Sequence, residues 1–135
     1  MVKELSKRAE AIHNGAVEPE IDNMLKVTSD GRKLGLDQRI INSNLPDEEN
    51  TKVNMCVQNI LKYWREGEKD KLTQLVFCDI STPQAGVKSD ISIDNKPIFS
   101  NVYADIKRKL IAGGMEPEQV AFIHEAKTDI QKKEL

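Results

Sequence analysis

Apolar positions along the chain follow a helical rhythm in some stretches and form short unbroken runs in others, and the changes between the two mark its elements. From Val2 to His13 the pattern is charged and weakly amphipathic and runs into Asn14-Gly15, which suits a helix terminus, so a first helix is predicted there. Glu18-Pro19-Glu20 sets a proline and two carboxylates where a helix starts, and Ile21, Met24 and Leu25 supply the i, i+3, i+4 spacing of one buried face. Asp30-Gly31 reads as a turn that interrupts this second helix, leaving Arg32 and Lys33 on an exposed edge. After Asn42-Ser-Asn-Leu-Pro46 the signal is clearest: Asp47, Glu48 and Glu49 suit the positive end of a helix in which Val53, Cys56, Val57, Ile60, Leu61 and Trp64 recur at helical spacing.

Leu75-Val-Phe-Cys78, inside "TQLVFCDIS", is instead a short continuous apolar run between polar residues, the form of a strand buried on both faces. Residues 81–96 carry Pro83, Gly86, several Ser and Asp, and alternating Ile91 and Ile93, which predicts a long loop with a minor hairpin. Helical spacing returns at Phe99, Val102, Tyr103, Ile106 and Leu110 and ends at Gly113-Gly114, as a left-handed cap would. Val120-Ala-Phe-Ile123 reads as a second strand, and Thr128-Asp-Ile-Gln131 has the form of a capping box opening another helix. The order strand, helix, strand implies a right-handed parallel crossover, hence an α/β fold whose sheet is incomplete within this sequence.

Composition narrows the classes. A length of 135 residues suits one domain, and 39% hydrophobic with 31% charged residues excludes a disordered or membrane-spanning chain. Aromatic residues are only 4%, so the core must come from Leu, Ile and Val. A net charge of -2 argues against holding nucleic acid through bulk positive charge, while leaving room for a local basic patch. Cys56 and Cys78 both fall in apolar patterns, with no secretory leader and no run long enough to span a membrane, which points to a reduced, cytoplasmic setting.

No phosphate-cradling motif of the GxxxxGK[ST] or GxGxxG kind is present, and Gly113-Gly114 follows a helix where such a motif would follow a strand. His13 and His124 have no partner at metal-ligand spacing, so no metal site and no catalytic residue is expected. Asp79, at the carboxyl end of the first predicted strand, with Ser81 and Thr82 behind it, occupies the place where open α/β sheets put functional groups. His124-Glu125 and Lys127 hold the same place after the second. Parallel neighbours would bring these residues to one edge, although loop aspartates and hydroxyls equally serve to satisfy backbone N–H groups. Arg32 with Lys33, and Lys107 with Arg108 and Lys109, are the local basic clusters; a solvated helix face is sufficient reason for the latter.

The segments "NMLKVTSDGRKLGLDQRII", "TQLVFCDIST" and "FSNVYADIKRKLIAGGMEPEQVAFIHEAKTDIQKKEL" together resemble the second RecA-like lobe of superfamily-two helicases of the Swi/Snf-like kind. The resemblance is strongest to the large helicase and DNA-methylase chains of bacterial phages and conjugative elements, and it covers residues 22–135. It implies a partial RecA-like parallel sheet over 71–135, the N-terminal part of the lobe, with a helical extension over 1–70. In such motors ATP and magnesium sit between two lobes whose opening and closing steps them along a nucleic acid. The family's glycine-rich fifth motif, its QxxGRxxR sixth motif, and the whole first lobe with its phosphate loop are not in this sequence. The resemblance therefore implies a helicase fragment without ATPase activity or cofactor of its own, whose partners are DNA and the missing first lobe. It further implies that Asp79, Ser81, Thr82, His124 and Lys127 face DNA phosphates, with Arg32 and Lys33 adding to the grip. An unpaired sheet flank could also join two copies into a dimer. The competing expectation is a stand-alone α/β module that binds a protein partner through its helical half, with Trp64 near the contact.

Overall fold

The computed structural model describes residues 1–83, 92–93, 96–97, 99–126 and 128. It divides into two compact units, Met1–Lys52 and Val53–Leu135, each considered by itself.

In the first unit α1 (Val2–His13) lies against α2 (Met24–Leu36). α1 ends where its sequence predicts, Gly15 taking a φ of +66° that a residue with a Cβ adopts at a cost. α2 begins later than expected. Glu18–Asp22 forms a turn, and Asn23, with extended backbone, caps the helix by accepting the Lys26 N–H at 3.0 Å while its own amide donates to the Pro19 carbonyl. That capping wins over the Pro-Glu start signal, and it rotates the predicted apolar face outward: Ile21 and Leu25 are 72% and 80% exposed, and Val27 is buried in their place. Asp30-Gly31, predicted as a turn, lies inside α2. Gly31 passes close to Leu5 of α1, and the Asp30 carboxylate is engaged in an ion pair.

That ion pair is the tie of the unit. The Arg8 guanidinium donates through Nε and a terminal nitrogen to both oxygens of Asp22, at 2.7 and 2.9 Å, and through its other nitrogen to Asp30 at 2.9 Å. One side chain of α1 thus fixes both the turn and the helix that follow it. The bond to Arg8 holds the carboxyl of Asp22 below the usual range, and the same bond, aided by Lys33, does so for Asp30. Beyond α2, Asp37 is almost fully buried and Arg39 bonds it through backbone N–H, Nε and a terminal nitrogen, so this buried charge is paired as burial requires.

The second unit is organised by α3 (Lys52–Glu66) and α4 (Val102–Ala112). Val57 and Ile60 of α3 pack with Leu110 and Met115, flanked by Cys56, Leu61, Trp64, Ile106 and Val120. Trp64 is half-buried and packs against this core. α4 ends at Gly113-Gly114 as predicted, with Gly114 at φ +107°. A Cβ on Gly113 would stand 2.5 Å from Leu61, so the glycine permits the approach of this corner to α3. Asp105, buried on α4, takes Arg108 and Lys109 at 2.7 Å each, and the Lys109 ammonium also donates to the Asn54 side chain of α3.

The expected α/β architecture with a RecA-like parallel sheet does not form. The described residues are helical, and their one strand pairing is antiparallel and two residues long, β1 (Ser92–Ile93) with β2 (Lys96–Pro97), the minor hairpin of the predicted loop. Residues 72–79 have no ladder partner. Gln74 and Cys78 are half-buried, the Gln74 amide donating to the Ile60 carbonyl at 2.9 Å, whereas Leu75 and Phe77 are 79% and 91% exposed. The second predicted strand, Val120–Ile123, is not a strand: a short helical turn, Pro117–Gln119, precedes it, and another, Ile123–Glu125, takes its last residue. Pro117 cannot donate to a ladder, the Gln119 side chain accepts the Glu116 N–H at 3.0 Å, and the Glu125 carboxylate accepts the Phe122 N–H. Several backbone groups of 116–125 thus bond within the segment, and among the described residues there is no parallel crossover. The predicted capping box at 128–131 reaches outside the described residues.

Because Asp22 and Asp30 have lowered values when folded, their pairing stabilises the protein fully above the ordinary carboxylate value of about 4 and is lost as pH falls through the lowered range. Arg8→Ala is expected to return both carboxyls to about 4 by NMR titration. The variant should melt below the parent at pH 7, and the gap should close as the solution is acidified.

Candidate functional site at the head of α4

Two neighbouring side chains complete the first turn of α4. Asn101, in extended backbone, accepts the Ala104 N–H at 2.9 Å, and the Ser81 hydroxyl oxygen accepts the Val102 N–H at 3.2 Å from a residue 21 positions earlier. Ser81 does this from a left-handed backbone, φ +61°, which a serine holds only when its surroundings demand it. As an acceptor there, its hydroxyl keeps its proton available to donate outward.

Tyr103, one residue into the same turn, joins the chain's separate parts. Its phenol donates to the carbonyl of Cys78, whose thiol donates to the Ile80 carbonyl at 3.1 Å. Its ring meets Phe122 edge to face, centroids 5.6 Å apart at 84°, and His124 likewise, at 5.2 Å and 87°. One helical turn on, the Lys107 ammonium lies over the Phe122 ring, 5.2 Å from its centroid. Burial pushes the Tyr103 phenol up, with the nearby Cys78 and Asp79 adding to it. Burial, with a smaller contribution from Cys78, also raises the Cys56 thiol, which leaves it a weak nucleophile.

The residues singled out from sequence are thus placed as follows. Asp79, Ser81 and His124 gather around Tyr103, with Asp79 and His124 exposed. Thr82 is exposed next to Ser81 in sequence, and Lys127 lies outside the described residues. Arg32 and Lys33 belong to the other unit, on α2, where Lys33 sits 3.5 Å from Asp30. Sequence reasoning missed Tyr103, Phe122 and Lys107. Tyr103 and Phe122 were absorbed into apolar stripes, yet a tyrosine in such a stripe carries a hydroxyl that needs a partner, which was the available signal. Lys107 was grouped with Arg108 and Lys109. Those two are matched by Asp105, whereas Lys107 pairs with no carboxylate among the described residues.

A shallow groove of about 590 Å³ in the first unit, lined by Arg8, Ile21, Leu25 and Lys26 among others, is less suited to chemistry. Arg8 is committed to two carboxylates and Lys26 to the carbonyls of Glu20 and Ile21. Among the described residues no three His, Cys, Asp or Glu side chains gather as metal ligands would, and no helix is long and apolar enough to cross a membrane. No protein-family model, curated protein or solved structure matches this chain.

The Tyr103 bond has a measurable sign. The folded state keeps the phenol proton to higher pH than the unfolded chain, so stability should decline as pH rises past about 10. Tyr103→Phe keeps the ring contacts and deletes the bond; a loss of about 1 kcal/mol by urea unfolding is expected. Phenolate absorbance should lose its high-pH component in the same variant.

Proposed function

We propose that the chain is a nucleic-acid-contacting portion of an ATP-driven DNA helicase or translocase, gripping the backbone and supplying no ATP chemistry alone. The observation that carries this reading is the meeting at Tyr103 of the two segments with the most specific resemblance, "LVFCDIST" and "AFIHEA". It is a reading of function and does not depend on a parallel sheet.

Hydroxyl, imidazole and ammonium groups on one surface contact phosphates without reading bases, as a motor that must move along any sequence requires. Ser81 can donate its proton while accepting from Val102, Thr82 and His124 are open to solvent, and Lys107 of α4 lies over Phe122, two residues before His124. Lys127, outside the described residues, is proposed as a further phosphate contact on the strength of the resemblance, and so are Arg32 and Lys33 of the first unit, where Asp30 already faces Lys33. ATP and magnesium would be held by other parts of the motor, since the phosphate loop and the arginine motif are not in this sequence. The DNA-facing groups here are few against a net charge of -2, so the affinity of this chain alone is weak.

One observation favours a second reading, a module that binds a protein. Leu72, Leu75 and Phe77 expose apolar surface that a partner, or the remainder of a motor, would cover.

Fluorescence anisotropy with labelled DNA separates the two. Weak binding at low salt is expected, falling with a log–log slope of about 0.7 to 0.9 per phosphate contact. It should weaken several-fold when Arg32, Lys33 and Lys127 are changed to alanine together. ATP hydrolysis by the purified chain should stay at background. Absence of DNA binding at low salt would reject the nucleic-acid reading in favour of the protein-binding one.

A further inference from the structure

The chain has three phenylalanines, two tyrosines and one tryptophan, and Trp64 is taken up by the core. Against that scarcity, two aromatic rings and one of the two imidazoles stand together at the head of α4. The cluster is built from below. Tyr103 is pinned by its phenol to the Cys78 carbonyl, and Phe122 and His124 both stand nearly perpendicular to it. The turn bearing them is closed by the bond from the Phe122 N–H to Glu125. Lys107 occupies one side of Phe122, and His124 is exposed. The rings are therefore held rigidly, a cation is fixed beside them, and the imidazole is the member that meets solvent.

The charges around the cluster favour an anionic ligand arriving from the Lys107 side. Asp105 draws Arg108 and Lys109 away, and Glu125 is turned back onto its own backbone. Asp79 acts on the Tyr103 phenol, whereas Lys107 lies over Phe122. A planar ligand joined to a phosphate matches that layout, with its ring on His124 and its phosphate on Lys107.

We propose that His124, seated on Tyr103 beside Phe122, stacks a nucleobase of a single-stranded nucleic acid while Lys107 takes the adjoining phosphate. This rests on the nucleic-acid reading above and extends it from a backbone grip to a stacking contact. Every base has a π-face, so the contact is indifferent to sequence. In a duplex that face is already stacked on its neighbours, so the platform discriminates strands by their pairing. Such a contact would hold an unpaired strand, giving the surface a preference that phosphate contacts alone do not confer.

The test compares an oligothymidylate with an abasic oligonucleotide of equal length and phosphate number, each titrated with the full chain at low salt. Base stacking contributes about 1–3 kcal/mol per base, so the thymidylate is expected to bind about fivefold tighter or more. His124→Ala should bring that ratio close to one, with any loss of its phosphate contact lowering both affinities alike, and His124→Phe should restore the ratio. Lys107→Ala should weaken both oligonucleotides alike. Circular dichroism establishes that each variant retains its helices. Equal binding of the two oligonucleotides by the parent chain, or an undiminished ratio in His124→Ala, overturns the stacking proposal while leaving the backbone reading in place. Binding of neither overturns both.

Discussion

The phenol of Tyr103 does for the second unit what a strand ladder would have done. Among the described residues, 72–82 have no pairing partner in a sheet, and 120–122 run irregularly into the short turn Ile123–Glu125, so neither segment is positioned by a ladder with the other. One hydrogen bond to the Cys78 carbonyl and two edge-to-face ring contacts take over that task. A buried phenol must find an acceptor, and the carbonyl of an unpaired segment must find a donor. Each need answers the other. The consequence for function is that Ser81 is delivered to the first turn of α4 as a cap from a distant part of the chain, and His124 is held at the rim of the same turn.

The unpaired segment also shows what is left unfinished. Along residues 73–80 the half-buried positions are Gln74, Cys78 and Ile80, while Thr73, Leu75, Phe77 and Asp79 face out. The alternation of a strand resting on one layer holds at either end but fails at Val76, which is exposed between Leu75 and Phe77, so three consecutive apolar residues face out. Polar residues there would make sense as a solvated face. Leucine and phenylalanine make sense only beneath something else, which is why an interaction with a larger body, whether motor or partner, belongs to any reading of this chain.

The limits of legibility follow the same physics. α1, α4 and the apolar face of α3 could be read directly, since a helix satisfies its backbone within itself and its apolar period and terminal glycines are local information, whereas α3 begins at Lys52, after the carboxylates read as its first turn. The start of α2 could not, because Pro19 and two glutamates imitate a first turn and only the Asn23 cap decides otherwise. Asp30-Gly31 imitated a turn, yet α2 runs through it, and the Arg8–Asp30 ion pair that engages this part of the helix is a tertiary fact. The strand readings failed for a stronger reason. "LVFC" and "VAFI" state that apolar residues are contiguous, but a strand exists only with a neighbour, and no local pattern supplies one. For the site, Ser81 and His124 were legible as polar residues following apolar runs, whereas Tyr103 and Phe122 were hidden within the runs themselves.

Charge pairing sharpens the choice among the basic residues, where sequence could offer only clusters. Arg8 is the strongest cation of the first unit by contact, yet two carboxylates absorb it, and its role is to fix α1, a turn and α2 together. Arg39 is absorbed in the same way by Asp37 and Asp47. On α4 the buried Asp105 must be neutralised, and the residues three and four positions on, Arg108 and Lys109, do so from the same helix. Lys107 stands two positions from Asp105, a spacing at which helical side chains do not face each other, and it turns to Phe122 instead. Helical geometry around one buried aspartate thus separates three consecutive basic residues into two that neutralise it and one that lies over an aromatic ring.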